Sequence, residues 1–263
     1  MSSGKLGIRL PEMQGLIRRR ILINFRVDAE VMKRQLPEPF RPKLLDGAAV
    51  AGICLIRLEH IRPVHFPAII GLASENAAHR VAVWWTAPDG EYREGVYIPR
   101  RDSSSLINHL VGGRLFPGEH HRASFDVHDD GQEIELSLRS MDGRVSVDLR
   151  ARVGEQLPPS SRFTSLEDAS AFFEKGALGY SQTARADHLD GLYLATKSWV
   201  VKPLEVQRVY SSFFSDESLF PAGSVSFDYR ANSVPEPSSL TLAGLGLLGL
   251  VGYCLRRRKA LGA

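Results

Sequence analysis

The chain has 263 residues, of which 43% are hydrophobic, 33 are Lys or Arg, 30 are Asp or Glu and two are Cys. This is the composition of a globular protein, and it excludes a disordered, collagen-like or disulfide-rich chain. Four basic residues and one acidic residue lie beyond Ser233, so residues 1–233 hold 29 of each sign and are neutral. Because proteins that bind a nucleic-acid backbone carry surplus positive charge on their folded part, we expect no nucleic-acid partner.

The first half of the chain predicts strands interrupted by short helices. Asp28 can cap a helix that ends at Leu36. A second helix is predicted after Asp102 or Ser103, because the apolar residues that follow have helical spacing up to a Gly-Gly pair. The predicted strands are 16–27, 47–58, 74–86 and 96–98, the last one stopped by Pro99.

The clearest pattern lies between residues 120 and 152. Three segments alternate apolar and polar residues, and Asp-Asp-Gly at 129–131 and Met-Asp-Gly at 141–143 separate them. These signals predict an antiparallel meander with one buried face. A helix at 165–176 and strands around 192–195, 199–206 and 225–229 follow. We therefore predict an α+β fold of mostly antiparallel strands, with a curved cone- or barrel-like sheet and a few helices.

Strand periodicity suggests which polar side chains point inward. Alternation places four of them on apolar faces, where burial without a partner would be costly. They are Arg19, Glu75, His79 and His121. A ligand pocket is one interpretation, and internally paired or strand-end residues are the other.

Two further arginines precede the second helix. Arg100 and Arg101 are candidates for binding a carboxylate or phosphate, or for an exposed ion pair with Asp102. We predict no metal and no cofactor, because no CxxC or Cys/His cluster of zinc spacing occurs and the GxGxxG match at 244–249 follows no strand. Cys54 is interpreted as a small core residue.

The C-terminal segment combines three features in order. Pro235, Glu236 and Pro237 precede the uncharged run 240–255, and Arg256, Arg257, Arg258 and Lys259 follow. The pattern predicts a single C-terminal transmembrane helix, which at ~1.5 Å per residue would be short for a bilayer core of about 30 Å. A buried helix is the alternative, but its glycines, its terminal position and the basic cluster argue against it. The basic end would lie in the cytoplasm and the body outside.

This segment resembles the bacterial PEP-CTERM sorting signal. The resemblance implies export, recognition of Pro235–Pro237 by an exosortase-type enzyme, and cleavage nearby. We accordingly expect two units, a body at 1–233 and a sorting and membrane segment at 234–263. A body outside requires an export signal, and none is visible after Met1. Either translation starts upstream, or the tail belongs to a protein that remains inside.

The body resembles the acetoacetate-decarboxylase-like superfamily, and more closely its uncharacterised bacterial branch, over residues 15–232. The resemblance implies a curved, cone-like sheet that encloses a pocket. It rests on the order of short motifs: Val27-Asp28, Leu36-Pro37-Glu38-Pro39, Ser74-Glu75-Asn76, Gly95 to Pro99, Gly113 to Pro117, Tyr210 to Phe213 and Ser226 to Tyr229.

The decarboxylases use a lysine that forms a Schiff base with a β-keto acid. In that family the lysine follows an aromatic-Pro motif, but here Phe116-Pro117 is followed by Gly118 and Glu119. The resemblance also matches Glu75 to the family's pocket glutamate, and Arg18 or Arg19 to its N-terminal arginine. We expect the decarboxylase activity to be absent.

Three functions remain open for the protein. The first is an envelope- or membrane-associated protein that binds a small organic acid or metabolite through Arg19, Glu75, Arg100 and Arg101. The second is an enzyme, a lyase or hydrolase, in which Glu75, His79 or His121 is a general acid or base. The third is a structural envelope or matrix protein with a vestigial pocket. Because neither a suitable lysine nor a nucleophile motif is present, the sequence favours a binding protein over an enzyme.

Overall fold

The computed structural model describes residues 12–67, 69, 71–87, 89–111, 118–157, 163, 165–182, 189–196, 201–227, 233–235 and 238–245. Three α-helices occur in these residues: α1 (Ala29–Gln35), α2 (Leu106–Val111) and α3 (Leu166–Glu174). The strands are β1 (Met13–Val27), β2 (Arg41–Pro42), β3 (Leu44–Leu45), β4 (Ala48–Pro63), β5 (Leu72–Thr86), β6 (Tyr92–Ser103), β7 (His121–Asp129), β8 (Glu133–Ser140), β9 (Ser146–Val153), β10 (Leu178–Gln182), β11 (Leu189–Thr196), β12 (Val201–Ser211), β13 (Val225–Phe227), β14 (Ser233–Pro235) and β15 (Ser238–Leu245).

The strands form one large mixed sheet. Most neighbours are antiparallel, as predicted, whereas β6 pairs in parallel with both β7 and β10. The sheet also branches, because β13 pairs with β1 and β2 pairs with β5 away from the main strand order. The predicted mostly-β fold with few helices is confirmed, but the sheet is a branched mixed sheet and not a closed barrel.

A bulge in β1 changes which residues share a face. Ile17 pairs with Leu58 of β4, and Arg19 pairs with the adjacent residue Arg57. Because neighbouring residues of β4 point to opposite faces, Ile17 and Arg19 do so as well. Ile17 packs on the side of Leu58 and Leu192. Simple alternation would place Ile17 and Arg19 on one face, and the bulge separates them.

A second bulge explains why β6 continues through Pro99. The pairing with β5 passes from His79–Arg100 to Val81–Tyr97, so two residues of β6 lie opposite one residue of β5. Proline is tolerated at a bulge, because no ladder hydrogen bond is required from its nitrogen. The prediction that the strand stops at Pro99 was wrong, and the longer strand carries the two arginines that follow.

The main core lies between the β1, β4 and β5 face and the meander of β7, β8 and β9. Leu138 of β8 and Leu149 of β9 are buried there against Ile23 and Leu55 of the central strands. The two predicted hairpin turns are confirmed, with Gly131 and Gly143 at φ of 89° and 70°. Such positive φ values favour glycine, which explains why both Asp-Gly turns form where the sequence places them.

The helices begin at side-chain caps. The carboxylate of Asp28 accepts hydrogen bonds from the backbone N–H groups of Glu30 and Val31 at 2.9 Å each, which confirms the predicted start of α1. α2 is capped by the Ser105 hydroxyl, which accepts from Asn108 N–H at 3.2 Å, and not by Asp102 or Ser103. The apolar spacing thus predicted the helix but placed its cap two or three residues too early.

The C-terminal segment departs from its prediction. Residues 240–245, expected to begin a transmembrane helix, belong to strand β15, which pairs antiparallel with β1 and with β11. Threonine and glycine have low helix propensity, and a strand here gains hydrogen-bonded neighbours on both sides. The described helices include none that is long and apolar enough to cross a bilayer. Residues 246–255 of the predicted span lie outside the described residues.

Candidate functional site

A cavity of about 140 Å³ lies on the face of the central strands opposite the main core. Alternation along the strands selects its lining, because Arg20 of β1, Arg80 of β5 and Arg101 of β6 all point to this face. Asn76, Asn108 and His120 add polar groups. The apolar part of the lining includes Cys54, Ile56, Leu58, Val96, Ile98, Leu192 and Leu194.

Three guanidinium groups make the cavity electropositive. Arg80 donates to the Asn24 amide oxygen at 3.2 Å, and Arg101 donates from Nε to the Ser181 hydroxyl at 2.9 Å. Burial lowers the pKa of Arg80 and of Arg101 to about 10, so both stay protonated at neutral pH. Guanidinium groups beside apolar walls favour an anionic ligand, because they form charge-assisted hydrogen bonds with a carboxylate.

His120 adds a neutral imidazole to the same cavity. Its Nδ1 lies 3.0 Å from the carbonyl oxygen of Gly118. Burial, together with the charge of Arg101, lowers the pKa of His120 to about 3, so the ring is uncharged at neutral pH. It can therefore take part in hydrogen bonds to a ligand without adding positive charge.

Gly118 occupies the position where the decarboxylase resemblance places a lysine. Its φ is 78°, and a Cβ atom there would lie 2.8 Å from Cβ of Ser181 and 2.9 Å from Nε of Arg101. Contacts this short cannot form without displacing a neighbour. The side chains of Arg101 and Ser181 thus occupy the space that a side chain at position 118 would need.

The described lysines lie outside the cavity. Lys43 and Lys175 bind the two carboxylate oxygens of Glu94 at 3.0 and 3.2 Å, beside a much smaller adjoining pocket. Among the described residues, no lysine belongs to the lining of the 140 Å³ cavity. Lys202 lies on β12, and Lys197 is outside the described residues.

Two predicted site residues, Arg19 and Glu75, form an ion pair on the opposite face. Arg19 Nη2 donates to Glu75 Oε2 at 2.6 Å, and Arg57 Nη1 lies 3.7 Å from Glu75 Oε1. Arg19 also lies 3.6 Å from a carboxylate oxygen of Asp129. The arrangement agrees with the alternative weighed from the sequence, in which these inward polar groups satisfy one another.

The other predicted residues meet around two aspartates. Arg100 binds Asp102 at 2.7 Å and Asp142 at 3.1 Å, and His121 Nδ1 lies 3.5 Å from Asp142. Burial raises the pKa of Asp102, and the hydrogen bonds and charge of Arg100 only partly offset that effect. For Asp142 the hydrogen bonds from Arg100 and Ser140 outweigh burial and hold its pKa below the usual range.

His79 lies beside this network but is packed as an apolar ring. It is fully buried, its ring centre is 4.5 Å from that of Phe213, and Nδ1 is 3.9 Å from the Asp102 carboxylate. Neither ring nitrogen has a hydrogen-bond partner among the described residues. Burial lowers the pKa of His79 to about 3, and Arg100 contributes to the same shift, so the ring is neutral.

Of the predicted site residues, only Arg101 lines the cavity. Arg20, Arg80 and His120 were missed, although each is a sequence neighbour of a predicted residue. The missed signal was the consecutive apolar run Ile21-Leu22-Ile23, which in the structure belongs to a stretch, 20–24, that is buried throughout. Such a run indicates a strand covered on both faces, so alternation alone cannot tell which face holds the site.

Solved structures that share this architecture are acetoacetate-decarboxylase-like proteins. The enduracididine biosynthesis enzyme MppR, also solved in complex with pyruvate, has a TM-score of 0.60 and 12% identity, with 94% of this chain and 91% of that chain covered. Acetoacetate decarboxylase from Legionella pneumophila has a TM-score of 0.52 and 13% identity, with 92% and 91% covered. An acetoacetate-decarboxylase-like enzyme from Sphingomonas wittichii RW1 has a TM-score of 0.51 and 11% identity, with 92% and 94% covered. At these identities the likeness shows the fold.

Residues 16–228 match DUF2071, described as an uncharacterized conserved protein, and the chain belongs to this family. Residues 233–259 match the PEP-CTERM protein-sorting motif. No curated protein matches the chain. The family resemblance and the sorting motif that the sequence predicted are thereby confirmed, and the motif implies a location at the cell envelope.

Proposed function

We propose that the protein binds a small organic acid at the cell envelope, in the cavity formed by Arg20, Arg80 and Arg101. The observation that carries this proposal is the convergence of three guanidinium groups, from three different strands, on one cavity with apolar walls. One acidic residue, Asp102, contributes to the described lining, and its carboxylate binds Arg100 at 2.7 Å. The positive charge of the cavity therefore favours an anionic ligand.

Shape and chemistry favour a short carboxylate. Guanidinium groups match the planar carboxylate with paired hydrogen bonds, and the walls of Ile56, Leu58 and Leu192 suit a hydrocarbon portion. The cavity has nearly the volume of an engineered cavity of about 150 Å³ that holds benzene, so a ligand of roughly six to eight non-hydrogen atoms fits. The pyruvate complex of MppR supports this size and charge for a protein of the same fold.

The chemistry proposed here is binding without a Schiff base. Gly118 provides no amine, and the crowding by Arg101 and Ser181 leaves no room for one at that position. The acid–base alternative has less support, because Glu75 lies between two arginines and His79 is fully buried with a lowered pKa. A vestigial pocket has less support too, because a purely structural cavity gains nothing from three arginines, two of them buried.

The sorting motif supports a location for this binding site. We propose that the protein is exported and attached to the membrane through residues 246–255, the uncharged part of the C-terminal segment that follows β15. An exosortase-type enzyme would then recognise Pro235–Pro237. The body, and with it the cavity, would face the outside of the cytoplasmic membrane.

A thermal-shift screen of short carboxylates and their neutral amides tests the proposed ligand class. We expect a carboxylate to raise the melting temperature of the parent protein and its amide to have no effect. Arg101→Gln should weaken carboxylate binding about tenfold or more, because a hydrogen bond to a charged group contributes about 1.5–3 kcal/mol. The control Arg150→Gln changes an exposed arginine that pairs with Glu135 at 3.2 Å, and should bind like the parent.

Two results would contradict the proposal. One is equal binding of the carboxylate by the parent and by Arg101→Gln. The other is covalent labelling of the protein by borohydride in the presence of a keto acid, which would show a Schiff-base amine in the site.

A further inference from the structure

The hairpin between β4 and β5 exposes large apolar side chains at its tip. Phe66 is 53% exposed, Ile69 is 92% exposed and Leu72, the first residue of β5, is 43% exposed. Arg62 links the two sides of the hairpin below Phe66, because it donates to the carbonyl oxygens of Phe66 at 2.9 Å and His60 at 2.7 Å. Grouped apolar side chains on an ordered surface indicate an interaction site.

Helix α2 adds apolar side chains at the same end of the sheet. The backbone N–H of Ser104, just before the helix, donates to the carbonyl of Glu75 at 2.9 Å, so the helix starts beside the first residues of β5. Its side chains Leu106, Ile107 and Leu110 are each about half exposed. We use the term apolar end for Phe66, Ile69, Leu72, Leu106, Ile107 and Leu110. They are six of the eleven exposed large hydrophobic residues of the described chain.

Strand β15 ends at this end of the sheet. Met13 of β1 pairs with Pro63, the last residue of β4 before the hairpin, and also with Leu242 of β15. β15 then continues for three residues past Met13, to Leu245, in the direction of the hairpin tip. The uncharged residues 246–255 and Arg256–Arg258 follow directly in the sequence.

The charge of the hairpin fits an anionic surface. Residues 60–72 contain no Asp or Glu, whereas they contain Arg62 and two exposed histidines, His60 and His65. Basic side chains next to exposed aromatic and aliphatic ones are the pattern of segments that lie at the surface of a membrane with anionic lipids.

We propose that the apolar end rests on the surface of an anionic bilayer, with Phe66 and Ile69 inserted at the headgroup level. The proposal goes beyond ligand binding and rests on the proposed membrane attachment of the C-terminal segment. With β15 in the sheet, residues 246–255 as a helix would extend about 15 Å, roughly half the bilayer core. Because no spacer separates Leu245 from this apolar segment, the end of the body that carries β15 lies against the bilayer. The hairpin tip then supplies a second contact, and stable attachment generally needs two.

Tryptophan quenching by brominated lipid tests the proposal on the full chain. Phe66→Trp puts a reporter at the tip, and Tyr92→Trp puts a matched one, 59% exposed, at the opposite end of the β5–β6 pair. With vesicles of phosphatidylcholine and phosphatidylglycerol brominated in the upper acyl chain, we expect the emission of the reporter at position 66 to fall about twofold or more. The emission of the reporter at position 92 should stay unchanged. The signal of the native tryptophans, measured on the parent protein, is subtracted in both cases.

Three outcomes would overturn the proposal. The first is flotation of the full chain with the vesicles while both reporters behave alike. The second is failure of the full chain to float with any vesicle. The third is a parent protein that forms a dimer and a double variant, Phe66→Ser/Ile69→Ser, that is a monomer, while the reporter at position 66 shows no quenching. In that case a second copy of the chain would occupy the apolar end. The thermal shift with carboxylates, measured on the same preparation, shows separately whether ligand binding stands.

Discussion

Gly118 has a backbone conformation that favours glycine and lies directly against the cavity residue Arg101. Replacement by alanine adds one carbon atom to a residue with φ of 78°, directly against Ser181 and the Nε atom of Arg101. Arg101 is the cavity residue that donates to Ser181, so any displacement caused by the new carbon reaches the anion site. Gly118→Ala should therefore lower both the stability of the fold and the affinity for a carboxylate.

The size of the effect follows from two separate costs. A positive φ costs a non-glycine residue about 1–2 kcal/mol. Crowding in a packed site adds about 1–3 kcal/mol. The free energy of unfolding, measured by urea denaturation and circular dichroism, should thus fall by roughly 2–5 kcal/mol.

Gly131→Ala is the matched control, because Gly131 has φ of 89° and a Cβ atom there would meet nothing within 4 Å. It should show the backbone cost alone, about 1–2 kcal/mol, and bind carboxylates like the parent. If the two variants lose equal stability, or if Gly118→Ala keeps full affinity, the crowding of Arg101 at position 118 is not what shapes the site.

Two further predictions concern buried groups. Because the pKa of His79 is lowered from 6.5 to about 3, the unfolded chain binds more protons, so this contribution to stability is complete above about pH 6.5 and is lost as the pH falls towards 3. His79→Leu should flatten the dependence of unfolding free energy on pH in this window, and an unchanged slope would refute the assignment. Cys54 lines the cavity and is 7% exposed, so a bound carboxylate should slow its alkylation in a Cys254→Ser background, followed by mass spectrometry. Equal alkylation rates with and without ligand would place the ligand elsewhere.

The sequence predicted those elements whose signals are local. The meander from β7 to β9 follows from period-two alternation and two Asp-Gly turns, and Asp28 caps α1 through its own side chain. Both features depend on residues close to each other in the chain, so no tertiary information was needed.

Which face of the central strands carries the cavity could not be predicted in the same way. The bulges after Ile17 and before Arg100 arise from pairing with partners distant in sequence, and each shifts every later side chain to the other face. Arg101 was predicted from its place before a helix, whereas Arg20 and Arg80 lie on the strand faces opposite the predicted residues Arg19 and His79. On β1 and β5 alternation placed Arg19 and His79 correctly on the side of the main core, but the cavity lies on the opposite face, at Arg20 and Arg80.

The same limit applies to the C-terminal segment. Its apolar residues suggested a helix from residue 240 onward, but β15 fills the space between β1 and β11. Whether such a segment forms a strand or a helix depends on an available pair of strand edges, which composition does not reveal.

The most direct test of the central claim compares a short carboxylate with its neutral analogue by titration calorimetry. Butyrate and butyramide have nearly the same size and differ in charge. If the three arginines form an anion site, the parent protein should bind butyrate at least about tenfold more tightly than butyramide, which corresponds to about 1.4 kcal/mol. Equal affinity for the two compounds, or tighter binding of butyramide, would contradict the claim that Arg20, Arg80 and Arg101 form an anion-binding site.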